Sequence, residues 1–110
     1  MTAEEMRDCI RQAAQACREK DAIAFSRLFL PDAEVVLSNG ACLVGRAEIA
    51  RVTAAYFERC GEIAIAIHHI VVEGNSAVVE WSWQEGTLTE NAIAIDFRSG
   101  AIAAWREYRR

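Results

Sequence analysis

From Glu62 to Arg109 the chain carries four long runs rich in Ile, Val, Ala and aromatic residues, separated by three tight turns. The runs are Glu62 to Glu73, Ser76 to Glu85, Leu88 to Arg98 and Ala101 to Arg109, joined at Gly74-Asn75, Gly86 and Ser99-Gly100. Strands separated by so few residues pair with their sequence neighbours, so this half of the chain reads as an antiparallel meander. Ile63, Ile65 and Ile67 alternate with Ala64 and Ala66, and Ile93, Ile95 and Phe97 alternate with Ala92 and Ala94. A sheet that is apolar on both faces needs two covers. Helices can supply one, and a second copy of the chain is the simplest source of the other.

The helices are read from the first half. Thr2 followed by Glu5 is a capping-box signal, and Met6, Cys9, Ile10, Ala13, Ala14 and Cys17 recur at helical spacing to about Lys20. Asp21 can cap a short second helix carrying Ile23, Phe25, Leu28 and Phe29, which Pro31 is expected to end, opening the sheet. Ala33 to Leu37 reads as a strand, Ser38-Asn39-Gly40 as its turn, and Ala41 to Val44 as a return strand closed by Gly45. A third helix runs from Arg46 through Ile49, Val52 and Tyr56, with Gly61 as its expected C-cap. At 110 residues and 53% apolar content, the chain can fill one core and has no room for a second domain. Residues 1–110 thus read as a single α+β domain in which a curved antiparallel sheet, backed by three helices, encloses a small apolar pocket.

Charge and cysteine content narrow the partners. Twelve basic against sixteen acidic side chains leave a net charge of −4, and the basic residues are scattered except at Arg106, Arg109 and Arg110, which argues against nucleic acid and anionic membranes. Cys9, Cys17, Cys42 and Cys60 form no CxxC pair and have no histidine at ligand spacing, so no metal site and no redox motif is read. The N-terminus, with Glu4, Glu5, Arg7 and Asp8, lacks the pattern of a secretory signal, and no apolar run approaches the roughly 18 residues of a membrane span. Unpaired thiols and no leader lead to the expectation of a cytoplasmic protein. Phosphate loops and nucleophile motifs are also absent, so no cofactor is expected.

Four segments carry a family resemblance: Phe25 to Leu37 before the hairpin, Gly45-Arg-Ala-Glu-Ile49, Gly74-Asn-Ser-Ala-Val-Val-Glu80, and Ile93 to Tyr108 with its Trp105-Arg-Glu-Tyr108 ending. In these phrases and in element order, the chain resembles the nuclear-transport-factor-2-like, SnoaL-like superfamily, which implies a cone-shaped roll with a ligand cavity. That fold group hosts isomerases, cyclases, epoxide hydrolases and plain binding domains. Ketosteroid-isomerase-like members place a carboxylate base where this chain has Val36-Leu37-Ser38, so the resemblance does not extend to that chemistry. Carried over from limonene-epoxide-hydrolase-like members, the final acid falls on Glu107. The central-strand pair falls on Ser82 and Gln84, and the first-strand pair on Val35 and Leu37, or on Asn39 with a one-step shift.

Glu107 shares a strand face with Trp105. If that face is inward, Glu107 is a carboxylate in an apolar cavity, suited to act as a general acid or base; otherwise it is a salt-bridged glutamate on a terminal strand. Of the adjacent His68 and His69, parity with Ile65 and Ile67 turns His69 inward, where it could exchange a proton with Glu107; the plainer reading is a histidine at a strand edge. For Trp81 and Trp83 two arguments conflict. Amphipathic alternation puts them inward, whereas the resemblance puts Ser82 and Gln84 inward and the tryptophans on the outer face, where a dimer would use them; the second is preferred. The expected cavity lining is then Leu37, Asn39, Tyr56, Ile67, Ser82, Gln84, Ile95, Phe97 and Trp105, with Glu107 and His69 as the proton-transfer pair. Three functions follow: binding of a small hydrophobic molecule by a homodimer paired through the outer sheet face; cofactor-free hydrolase, isomerase or cyclase chemistry; or a module docking another protein on that face.

Overall fold

The computed structural model describes all residues from Met1 to Arg110. Helix α1 (Ala3–Arg18) begins in the expected capping box, in which the Thr2 side chain accepts from the Glu5 N–H while the Glu5 carboxylate accepts from the Thr2 N–H. Its inner stripe, Met6, Cys9, Ile10, Ala13, Ala14 and Cys17, is buried against the sheet. Helix α2 (Ala22–Ser26) is capped by the Asp21 carboxylate on the Ala24 N–H. Strands β1 (Phe29–Val36) and β2 (Cys42–Val44) form the hairpin, followed by helix α3 (Arg46–Arg59). The meander follows as β3 (Ala64–Glu73), β4 (Ser76–Glu85), β5 (Thr87–Arg98) and β6 (Ala101–Arg109).

The six strands make one sheet in the order β2-β1-β6-β5-β4-β3, antiparallel throughout except that β1 lies parallel to β6. The meander therefore pairs neighbour to neighbour as its turns require, and the last strand returns to hold the first. Register shifts at Phe29/Glu34, Ile67/His69 and Asp96/Phe97 bend the sheet around the helices, since a bulge adds local twist.

Two boundaries differ from expectation. Helix α2 stops before Leu28, and Phe29, Leu30 and Pro31 belong to β1. The Ile102 N–H donates to the Leu28 carbonyl (2.9 Å), and Phe29 is paired opposite Ile102 and buried between Phe25 and Trp105. Tertiary pairing outweighs the local helical pattern, and Pro31 occupies the irregular stretch between Phe29 and Glu34, where a missing N–H costs least. At the end of α3 the cap is Cys60 in an extended conformation (φ −89°, ψ 160°), not Gly61 in the left-handed region. Lys20 Nζ takes the Cys60 carbonyl at 3.0 Å, so a side chain satisfies the helix end and the chain enters β3 directly. The entry to α3 does need glycine: Gly45 has φ 92° and its N–H donates to the Ala33 carbonyl (2.8 Å).

Candidate functional site: an aromatic cavity around Glu107

Side-chain alternation on β4 decides what the cone contains. Ala77, Val79 and Trp81 are buried while Val78, Glu80 and Gln84 are exposed, so Trp81 and Trp83 face inward and Ser82 and Gln84 face outward. The preferred expectation is thus overturned by one residue of register, and plain amphipathic alternation proves the better guide. Ser82 is nevertheless buried, because it sits on the outer face bonded to His68 Nε2 and donating to the Glu90 carboxylate (2.9 Å).

Inside lies a cavity of about 370 Å³ between α3, the β1–β2 hairpin and strands β4 to β6. Thirteen of its twenty lining residues are apolar, and all three tryptophans of the chain are among them. Of the expected lining, Leu37, Asn39, Tyr56, Trp105 and Glu107 are brought together here. Ile95 and Phe97 are buried in the core, opposite Trp105 and Ile102, beyond the cavity wall. Ile67 and His69 lie elsewhere, in an open, mostly polar groove of about 770 Å³ between α1 and the edge strand β3. The cause is the bulge between Ile67 and His69. It resets the alternation so that Ile70 and Val72 pack toward the core, while His69 is exposed opposite Glu80. His69 is therefore no partner for Glu107.

Glu107 is inward and held. Its Oε2 accepts the Trp105 indole N–H at 3.1 Å, and Trp105 is itself packed against Phe25, Phe29 and Trp81. Burial raises the Glu107 carboxyl above the ordinary carboxylate range; the Trp105 donor, the Ser38 backbone and the Arg109 charge oppose that rise without cancelling it. Cys17 lines the same cavity, but burial, reinforced by the Glu107 charge, pushes its thiol up to about 12, which disfavours the thiolate at neutral pH. Burial also pushes the Tyr56 hydroxyl up to about 12, with the Glu85 carboxylate that accepts its hydrogen bond at 2.7 Å adding to the shift. Glu107 is the one carboxylate in the lining, and no cluster of three or more His, Cys, Asp or Glu is placed to hold a metal ion.

The lining also contains Asn91, Ile93, Arg59 and Arg109, which the sequence reading passed over. Extending the alternation would have found most of them: Asn91 and Ile93 share the face of Ile95, and Arg109 shares the face of Glu107.

A curved sheet wrapped on three helices around an apolar cavity with one half-buried carboxylate defines a cone-shaped α+β class. A family model, the SnoaL-like domain, matches residues 10–106, and the chain belongs to that family. Its fold is similar to that of a hypothetical protein with a ketosteroid isomerase-like fold from Catenulispora acidiphila DSM 44928, solved in complex with trimethylamine (TM-score 0.84, 19% identity, 91% of this chain and 83% of that one). It is similar also to a protein of unknown function with a cystatin-like fold from Methylobium petroleophilum PM1 (TM-score 0.84, 22% identity, 99% and 78%). A de novo designed protein with a curved β-sheet matches as well (TM-score 0.84, 16% identity, 100% and 88%). At such identities the likeness establishes the fold alone. No curated protein matches the sequence. No helix is long and apolar enough to cross a membrane.

Proposed function

We propose that this domain binds a small, largely apolar molecule in the Glu107 cavity. The observation that carries the reading is an inward carboxylate, fixed by an indole N–H, in a cavity of about 370 Å³ lined mainly by apolar side chains. Sites for small molecules commonly occupy about 300 to 1,000 Å³ and combine an apolar wall with a few convergent polar groups. Proton transfer by Glu107 on a bound substrate is the enzymatic form of the same reading, favoured by its raised pKa. It now lacks the histidine that was expected to share the task. Because all three tryptophans line the cavity, intrinsic fluorescence reports on its occupancy. Titration with 3-phenylpropan-1-ol is expected to change the emission saturably, and Val52→Trp, which fills the lining from α3, is expected to weaken binding at least tenfold. An unchanged emission across the solubility range of the alcohol would remove the reading.

We also propose that two copies pair through the outer sheet face. With the tryptophans inside, the apolar character of that face comes from small residues, chiefly Ala64, Ala66, Val78, Ala92, Ala94 and Ala104, beside the Arg106–Asp96 ion pair. Exposed apolar area on a broad sheet face favours association with a like surface. Sedimentation of the native chain is expected to give a dimer and that of Ala94→Arg a monomer, while a native monomer at micromolar concentration would exclude the pairing.

A further inference from the structure

The deep part of the cavity is apolar, but its outer end carries two guanidiniums that form no ion pair. Arg59, in the last turn of α3, and Arg109, at the end of β6, both line the cavity and are both exposed, whereas Trp81, Trp105 and Ile93 at its other end are buried. The two guanidiniums therefore mark the mouth. Four other arginines pair with acids, Arg7 and Arg11 with Glu4, Arg98 with Asp32 and Arg106 with Asp96, while Arg18 and Arg46 spend their guanidiniums on the Ile65 and Phe29 carbonyls. Neither mouth arginine forms such a pair.

Both are nonetheless held in place. The Arg59 guanidinium lies over the Tyr56 ring, 5.6 Å from its centroid, a cation–π contact that fixes the group without using its N–H donors. Tyr56 is in turn anchored through its hydroxyl to Glu85. Arg109 spends only Nε, on Asn91 Oδ1 at 3.3 Å, and Asn91 is oriented by Thr89 Oγ1 at 3.2 Å. Its two terminal nitrogens remain available. Planar donor forks of this kind match carboxylates, and fixing them in advance lowers the ordering cost of binding. A ligand cation would meet the opposite situation: two positive charges to pass, and beyond them one carboxylate already accepting from Trp105.

Resting on the reading of the cavity as a ligand site, we propose that its ligand is an amphipathic acid: an apolar body seated against Trp81 and Trp83, and an anionic head group, most simply a carboxylate, held by Arg59 and Arg109 at the mouth. The raised pKa of Glu107 is compatible with this, since burial disfavours the negative charge that would repel an anionic ligand.

The test is a charge series on one skeleton: 3-phenylpropanoate, 3-phenylpropan-1-ol and 3-phenylpropylamine, titrated at pH 7 by tryptophan fluorescence. The acid is expected to bind about tenfold more tightly than the alcohol, and the amine more weakly than either. In the double variant Arg59→Gln/Arg109→Gln the acid-to-alcohol ratio is expected to fall close to one. Arg51→Gln, which removes an exposed charge of α3 outside the lining, is expected to keep the native ratio. Equal binding of all three compounds, preference for the amine, or a ratio that survives the double substitution overturns the anionic head group and leaves the cavity reading intact. Failure of the alcohol as well as the acid overturns both.

Discussion

Trp105→Ala is expected to destabilise the domain by about 3–5 kcal/mol, the range for truncating a buried tryptophan or phenylalanine. Trp105 is 2% exposed and touches three aromatic rings from three different elements: Phe25 of α2 at 5.5 Å, Phe29 of β1 at 5.7 Å and Trp81 of β4 at 5.9 Å. It also lies opposite Val35 in the parallel pairing with β1 and opposite Ile95 in the antiparallel pairing with β5. Loss of the indole would thus open a void where α2, the hairpin and the meander meet, and would leave the Glu107 carboxylate without its side-chain donor. Against a total stability of about 5–15 kcal/mol for domains of this class, such a loss takes a large share of the whole. Urea unfolding of both proteins checks it, with Trp105→Phe as the control that keeps an aromatic ring while dropping the N–H. A loss below about 1 kcal/mol in the alanine variant would show that the surrounding rings collapse into the space, and that Trp105 is not the junction described here.

How far the sequence foretold this arrangement depended on whether a local pattern could decide the question. The meander followed from turns too short to allow any other pairing, and the α1 stripe from Met6 to Cys17 followed from helical spacing. Both rest on single-element periodicity. Phe29 and Pro31 fall on the wrong side of a boundary because the deciding contact, β1 lying parallel to β6, joins residues seventy or more positions apart. His69 was misplaced for a subtler reason: alternation counts correctly until a bulge adds one residue, and nothing in the apolar run from Ile63 to Val72 announces where that residue will be. The tryptophans show the reverse error. Their own alternation with Glu80, Ser82 and Gln84 gave the correct face, and an alignment to distant relatives, free to slip by one position, displaced it. For the candidate site, Glu107 was legible because Trp105 and Glu107 share parity on one uninterrupted strand segment. The mouth arginines were not, because an exposed arginine acquires meaning only from the cavity beside it and from acids that fail to reach it.

Glu107→Gln is expected to make the folded protein more stable than wild type at pH 8, through removal of a desolvated charge without loss of shape. Burial raises the Glu107 carboxyl in the folded state above its reference of 4.5. The folded state therefore holds this proton more tightly than the unfolded chain does. Its contribution is fully present below the unfolded pKa, and it is lost as pH rises through the folded pKa. Above that point the ionised carboxylate is a cost that the Trp105 N–H, the Ser38 backbone and Arg109 only partly offset. Glutamine keeps the volume and an oxygen for the indole N–H and cannot ionise. The difference between variant and wild type should accordingly be near zero at pH 4, grow as pH rises through the raised pKa, and level off once Glu107 is ionised in both states. The difference, not either curve alone, is the measurement, because Asp96 titrates with the opposite sign. Ser76 first, and then Arg106, hold its carboxyl below the ordinary range, so its contribution is lost toward acid in both proteins and cancels. Denaturant unfolding at pH 4, 6 and 8 yields the three differences. A variant less stable than wild type at pH 8 would mean that the donors around Glu107 outweigh its desolvation, and Glu107 would then be a carboxylate kept charged for binding in preference to one kept protonated for donation.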